Sequence, residues 1–141
     1  MPTRSASARY EGFGKTGKGH ISSESGVLDS TPYGFNTRFG DEKGTNPEEL
    51  IAAAHASCFT MALSFALAGA GYHDGTLQTK AAITLEQDGA GFKVTRSDLT
   101  LTASVPGIEP DQFASIAADA KANCPISKVL NAEITLTHTL E

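Results

Sequence analysis

The sequence predicts an α+β fold in which one long helix is backed by sheet, and three observations carry that prediction. A complete helix start is written at Asn46-Pro47-Glu48-Glu49, strand-like alternation runs through Leu77, Thr79, Ala81, Ile83 and Leu85, and glycines punctuate the first 45 residues. With 141 residues and 40% hydrophobic side chains, the chain has the size and core material of one domain, 1–141.

Residues 1–45 read as turns and short strands. Ala8-Arg9-Tyr10-Glu11 and His20-Ile21-Ser22-Ser23 are separated by Gly12, Gly14, Gly17 and Gly19, a hairpin pattern with no helical period. Asn46 is a favoured N-cap, Pro47 is pre-shaped for the first helical position, and Glu48 and Glu49 suit the positive helix end, with Glu49 placed to close a capping box. The helix can run from Pro47 to Gly69 or Gly71, where glycine supplies a left-handed stop. Leu50 to Tyr72 carries no formal charge, but its Ala, Gly and Ser content, with His55 and Thr60 inside and no Lys/Arg cluster beside it, reads as a buried central helix rather than a membrane span.

Two strands follow, Thr76 to Gln87 and Phe92 to Val105, joined by the turn Asp88-Gly89-Ala90-Gly91 as a hairpin. Pro106-Gly107 ends the second. Pro110 opens another helix with Phe113, Ile116, Ala117 and Ala120 on one face, and Cys124-Pro125 interrupts it. A short helix Pro125 to Leu130 and a last strand Glu133 to Thr139 complete the order.

Charge narrows the function. Eleven Lys plus Arg against sixteen Asp plus Glu leave a net charge of −5, with no basic field for nucleic acid. His20, His55, His73 and His138 are scattered and read as ordinary surface or core residues, and neither cysteine sits in a CxxC pair, so no metal site or cofactor is expected. Gly12, Gly14 and Gly17 lack the following helix and the Gly-Lys-Ser/Thr frame of a phosphate loop. Two cysteines make no disulfide framework, and the polar N-terminus suggests a cytoplasmic protein.

The cysteines are either inert core residues or a reactive pair. Cys124 stands at a helix start, where free N–H groups and the dipole favour a thiolate, whereas Cys58 lies mid-way along an apolar helix, where desolvation raises a thiol pKa. Local sequence therefore ranks Cys124 the more reactive. Arg38, between Phe35 and Phe39, can either pack its stem on those rings or hold an anion while pairing with a carboxylate.

Gly26-Val27-Leu28, Pro32-Tyr33-Gly34-Phe35-Asn36-Thr37-Arg38-Phe39, Gly44-Thr45-Asn46-Pro47-Glu48-Glu49-Leu50, Ala54-His55-Ala56-Ser57-Cys58-Phe59 and Cys124-Pro125-Ile126-Ser127 resemble the family of osmotically inducible and organic hydroperoxide resistance proteins. The Pro-Tyr-Gly-Phe-Asn-Thr-Arg segment favours its osmotically inducible branch. The resemblance implies antiparallel sheets packed around a long central helix, an intertwined homodimer with two interfacial sites, and reduction of hydroperoxides, organic ones preferred over hydrogen peroxide. By the same resemblance Cys58 is the peroxidatic cysteine, Cys124 the resolving one, and Arg38 and Glu48 the polar partners of the thiolate, reversing the local ranking. It also implies a Cys58 to Cys124 disulfide reduced by an external dithiol, of lipoyl type or another small dithiol.

Ten residues of unbroken helix would separate Glu48 from Cys58 by about 15 Å. Arg38 bridges that gap, the helix is broken, or the other subunit supplies one member; the last is favoured. Phe35, Phe39 and Phe59 are candidate walls of an apolar substrate pocket. Two other classes stay open: a non-enzymatic redox sensor or small-molecule binder using the same cysteines, and a structural dimer with inert thiols.

Overall fold

In the computed structural model all 141 residues are described, and they divide into two compact units, Met1–Leu50 and Ile51–Glu141. In the first, β1 (Ala6–Glu11), β2 (Lys18–Ser23) and β3 (Thr31–Tyr33) form an antiparallel sheet in that order. Gly19, expected in a turn, lies within β2, because the Tyr33 ring crosses it: a Cβ there would sit 2.5 Å from a ring carbon and 2.7 Å from the Tyr33 carbonyl oxygen.

The expectation of no helix before residue 45 is corrected by a short 3-10 turn at Gly14–Thr16 and by α1 (Phe35–Phe39). One helical turn is too short to show a period; a local hydrogen-bond clasp marks it instead. The Thr37 hydroxyl accepts from the Gly34 N–H at 2.7 Å and donates to the Gly34 carbonyl at 3.0 Å.

Helix α2 (Pro47–Gly69) starts as its sequence dictates, with Asn46 Oδ1 accepting the Glu49 N–H at 2.8 Å. The expected capping box does not close, because the Glu49 carboxylate takes the Thr45 hydroxyl at 2.8 Å instead. The Asn46 amide also donates to the Thr37 carbonyl at 3.0 Å, tying the end of α1 to the start of α2. At the far end Tyr72 N–H reaches Leu67 O at 2.9 Å and Gly71 N–H reaches Ala68 O at 3.0 Å, with Gly71 at φ +97°, a left-handed stop of the Schellman kind.

In the second unit β4 (Thr76–Asp88) and β5 (Gly91–Ser104) form the expected hairpin, with β6 (Glu133–Leu140) on the other side of β5. β6 runs parallel to β5, so this sheet is mixed rather than antiparallel throughout. A parallel pair needs a crossover, which α3 (Pro110–Asn123) and α4 (Pro125–Val129) provide.

The core of this unit is built from helical and strand periods meeting. Phe59, Leu63 and Leu67 recur every fourth residue on α2, Leu99, Leu101 and Ala103 alternate on β5, and Phe113, Ala117 and Ala120 face them from α3. Two expectations are corrected here. Phe59 is fully buried in this core and is not a pocket wall, and α2 buries only one stripe, leaving Met61 60% and Phe65 72% exposed in the single chain. By length and composition alone α2 could cross a membrane, but its His55, Phe59, Leu63 and Leu67 stripe is buried.

Candidate active site

Arg38, on α1, and Glu48, in the first turn of α2, form a fork-on-carboxylate pair within the first unit. Arg38 Nε donates to Glu48 Oε1 and Oε2, each at 3.0 Å, and Nη2 donates to Oε1 as well. The guanidinium also lies 5.4 Å from the centre of the Phe39 ring, and Phe39 packs against Phe35 at 5.2 Å. The head of Arg38 is thus locked to a carboxylate and lies beside an aromatic ring. Lys15, 5.0 Å from the Phe35 ring, adds a second cation to this corner.

Cys58 and Cys124 are brought together in the second unit, both as free thiols. Cys58 stands on α2 and Cys124 at the break between α3 and α4, where Pro125 forces the preceding residue out of helical geometry, to φ −57° and ψ 128°. The break still closes its backbone bonds: Cys124 N–H donates to Ala120 O at 3.0 Å and its carbonyl accepts Lys128 N–H at 3.2 Å. Cys58 packs against the core cluster that contains Cys124, and each thiol, with the Ile126 N–H, bears on the other's protonation.

This arrangement polarises the pair. Burial pushes the Cys58 thiol up, its hydrogen bond with Cys124 pushes it further, and the Ile126 N–H only partly offsets them. Cys124 is also penalised by burial, but the hydrogen bond from Cys58, the N–H and hydroxyl of Ser127 and the Ile126 N–H favour its thiolate and bring its pKa down. Within this unit Cys124 is therefore the more acidic of the two thiols, the order that local sequence suggested.

One cluster beside the thiols was not singled out in the sequence. His55, fully buried, meets Ser97 Oγ on β5 at 2.6 Å through Nδ1 and Ser127 Oγ on α4 at 2.8 Å through Nε2. The signal was local but faint: His55 stands three residues before Cys58, and Ser127 three after Cys124. Ser97 carried no signal, since its partner is 42 residues away. No group of three or more His, Cys, Asp or Glu side chains lies together in the way a metal ion requires.

A family model described as OsmC-like protein matches residues 40–139, the span that holds α2, both cysteines and β4 to β6. The chain belongs to the OsmC-like family. Among curated relatives of this OsmC-like chain, the peroxiredoxin OsmC of Escherichia coli (strain K12) is 54% identical over 134 residues, spanning 95% of this chain and 94% of that protein. The organic hydroperoxide resistance protein OhrB of Bacillus subtilis (strain 168) is 28% identical over 117 residues, 82% of this chain and 84% of that one. Among OsmC-like folds already solved, that of Bacillus subtilis OhrB superposes with a TM-score of 0.73 at 27% identity, covering 97% of this chain and 98% of that one. An organic hydroperoxide resistance protein from Elizabethkingia anophelis superposes with a TM-score of 0.77 at 26% identity, covering 100% and 98%.

Proposed function

We propose that this OsmC-like protein is a thiol-dependent peroxidase that reduces hydroperoxides, organic ones preferentially, in defence against oxidative and osmotic stress. The observation that carries the reading is the meeting in one core cluster of two reduced thiols far apart in sequence, Cys58 and Cys124. The relatives' names, peroxiredoxin and organic hydroperoxide resistance protein, support the substrate class.

In this reading the Cys58 thiolate attacks the terminal peroxide oxygen, the O–O bond breaks, and the alkoxide leaves with a proton as alcohol, leaving Cys58 a sulfenic acid. The Cys124 thiolate then attacks the Cys58 sulfur, the S–O bond breaks, and hydroxide leaves with a proton as water. An external dithiol, of lipoyl type, returns the disulfide to two thiols by exchange, with two electrons. A cytoplasmic setting would keep the pair reduced between turnovers.

Burial holds the Cys58 thiol up, so attack at neutral pH calls for a cation at its sulfur. Arg38, clamped by Glu48, has the right chemistry to lower that pKa and to stabilise developing oxygen charge. Because α2 is unbroken from Pro47 to Gly69, its rise places Glu48 about 15 Å along the axis from Cys58. We therefore assign the cation at each Cys58 to Arg38 of the partner subunit in a homodimer. The exposed apolar side chains of α2, Met61 and Phe65, support a second copy packing there.

The test mixes reduced protein with a slight excess of cumene hydroperoxide and follows peroxide loss and free thiols. The parent is expected to consume peroxide and lose two thiols per chain, Cys58→Ser to be inert, and Cys124→Ser to stop at the sulfenic acid. An inert Cys124→Ser with an active Cys58→Ser would exchange the two roles. A parent that forms the disulfide without turning over with any dithiol would be a sensor, and thiols inert in all three proteins would end the enzyme reading.

A further inference from the structure

The buried imidazole beside the thiols has no part in the reaction just described, and its surroundings define what it can do. His55 is fully buried, and both ring nitrogens are taken by hydroxyls, Ser97 Oγ at 2.6 Å and Ser127 Oγ at 2.8 Å. A neutral imidazole has one N–H and one lone pair, so one serine must donate to it and the other must accept from it. Ser127 also stands in the first turn of α4, whose N-cap is Cys124, and from there its hydroxyl and its backbone N–H both bear on the Cys124 sulfur. A hydroxyl has a single hydrogen. If Ser127 gives it to His55, it can only accept from Cys124 and stabilises the thiol; if Ser127 accepts from His55, its hydrogen is free for a thiolate.

We propose that His55 is a positioning residue for Cys124: as the Nε2–H tautomer it donates to Ser127 Oγ, turns the Ser127 hydroxyl to donate to the Cys124 sulfur, and is itself held in that tautomer by the Ser97 hydroxyl donating to Nδ1. The chain of donors then runs one way, Ser97 to His55 to Ser127 to Cys124. Desolvation agrees with a neutral ring, since burial pulls the His55 pKa down. The groups bearing on the Cys124 sulfur are Cys58 from α2 and Ile126 and Ser127 from α4. The consequence rests on the peroxidase reading: the relay keeps the resolving sulfur a thiolate, and so favours disulfide closure over prolonged exposure of the Cys58 sulfenic acid.

The thiol titration needs no peroxide and is read in a Cys58→Ser background, where Cys124 is the single thiol, so its failure is separate from failure of the peroxidase reading. The Cys124 pKa is followed by the ¹³C shift of its labelled Cβ, and the His55 tautomer by imidazole ¹⁵N shifts. Ser127→Ala is expected to raise the Cys124 pKa by about one unit or more, the loss of a hydrogen bond to a charged group. His55→Leu is expected to do the same, and His55→Gln, which keeps a donor and an acceptor, to restore part of the shift. In otherwise parent protein, disulfide closure after a hydroperoxide pulse should slow about tenfold in Ser127→Ala at neutral pH and recover as pH rises. An Nδ1–H tautomer, or a Cys124 pKa unmoved in folded Ser127→Ala, overturns the proposal; because Ser127 is only half-buried, that variant serves even if His55→Leu does not fold.

Discussion

Arg38 and Glu48 are joined by a forked contact in which one guanidinium nitrogen, Nε, is shared equally between both carboxylate oxygens at 3.0 Å. The geometry holds the charge of Arg38 in place rather than neutralising a loose surface arginine, since Glu48 keeps only 14% of its side chain exposed. In the proposed mechanism a cation fixed in this way meets the Cys58 thiolate and the oxygen charge that develops as the O–O bond breaks.

Arg38→Ala is therefore expected to lower kcat/KM for an alkyl hydroperoxide about 100-fold, and Glu48→Gln, which leaves Arg38 unanchored, less severely. The pH dependence separates charge from structure. In the proposed mechanism the attacking species is the Cys58 thiolate, and burial holds its thiol above the usual range. Without the cation the rate should climb about tenfold per pH unit across neutrality, while the parent reaches its plateau at lower pH. Stopped-flow peroxide consumption against pH reads both effects, and an unshifted profile in Arg38→Ala would show that Arg38 does not tune Cys58.

His55 couples stability to pH. Its pKa is lowered in the fold by burial, so between the ordinary histidine value and the folded one the unfolded chain binds a proton that the native chain does not. The stabilisation is complete above the unfolded pKa, near 6.5, and is lost as pH falls from there toward the folded value. Urea midpoints of the parent should fall between about pH 7 and pH 5 more steeply than those of His55→Gln; equal slopes would mean that the buried ring is protonated without cost.

Phe59 and Phe65 lie on one helix with opposite fates, the first fully buried and the second 72% exposed. Phe59→Ala is expected to cost about 3–5 kcal/mol through lost burial and an uncollapsed cavity. Phe65→Asp should leave the monomer's own stability nearly unchanged and dissociate the proposed homodimer, read by sedimentation equilibrium together with denaturation. A dimer untouched by Phe65→Asp would place the interface elsewhere.

Much of this molecule is legible along the chain, because helix ends and strand periods depend on chemistry only a few residues long. Asn46, Pro47 and Gly71 bound α2 through their own backbone preferences, Pro125 breaks the helix at Cys124, and the alternation after Thr76 marks β4 and β5. The one-turn helix at Arg38 has no such signature, because it is held by the Gly34–Thr37 clasp and is too short for a period. Motif resemblance pointed to the family, which the family-model match over residues 40–139 bears out.

What the tertiary structure alone decided are the relationships between distant residues. The parallel docking of β6 on β5, the burial of Phe59 instead of its lining a pocket, the meeting of Cys58 with Cys124, and the Ser97, His55, Ser127 chain have no local signature. The physical reason is that a thiol pKa and a histidine tautomer are set by which dipoles, hydroxyls and apolar atoms surround the group in space. At Cys58 and Cys124 those neighbours come from α2, α4 and each other, brought together by the collapse of the core around Phe59, Leu99 and Phe113.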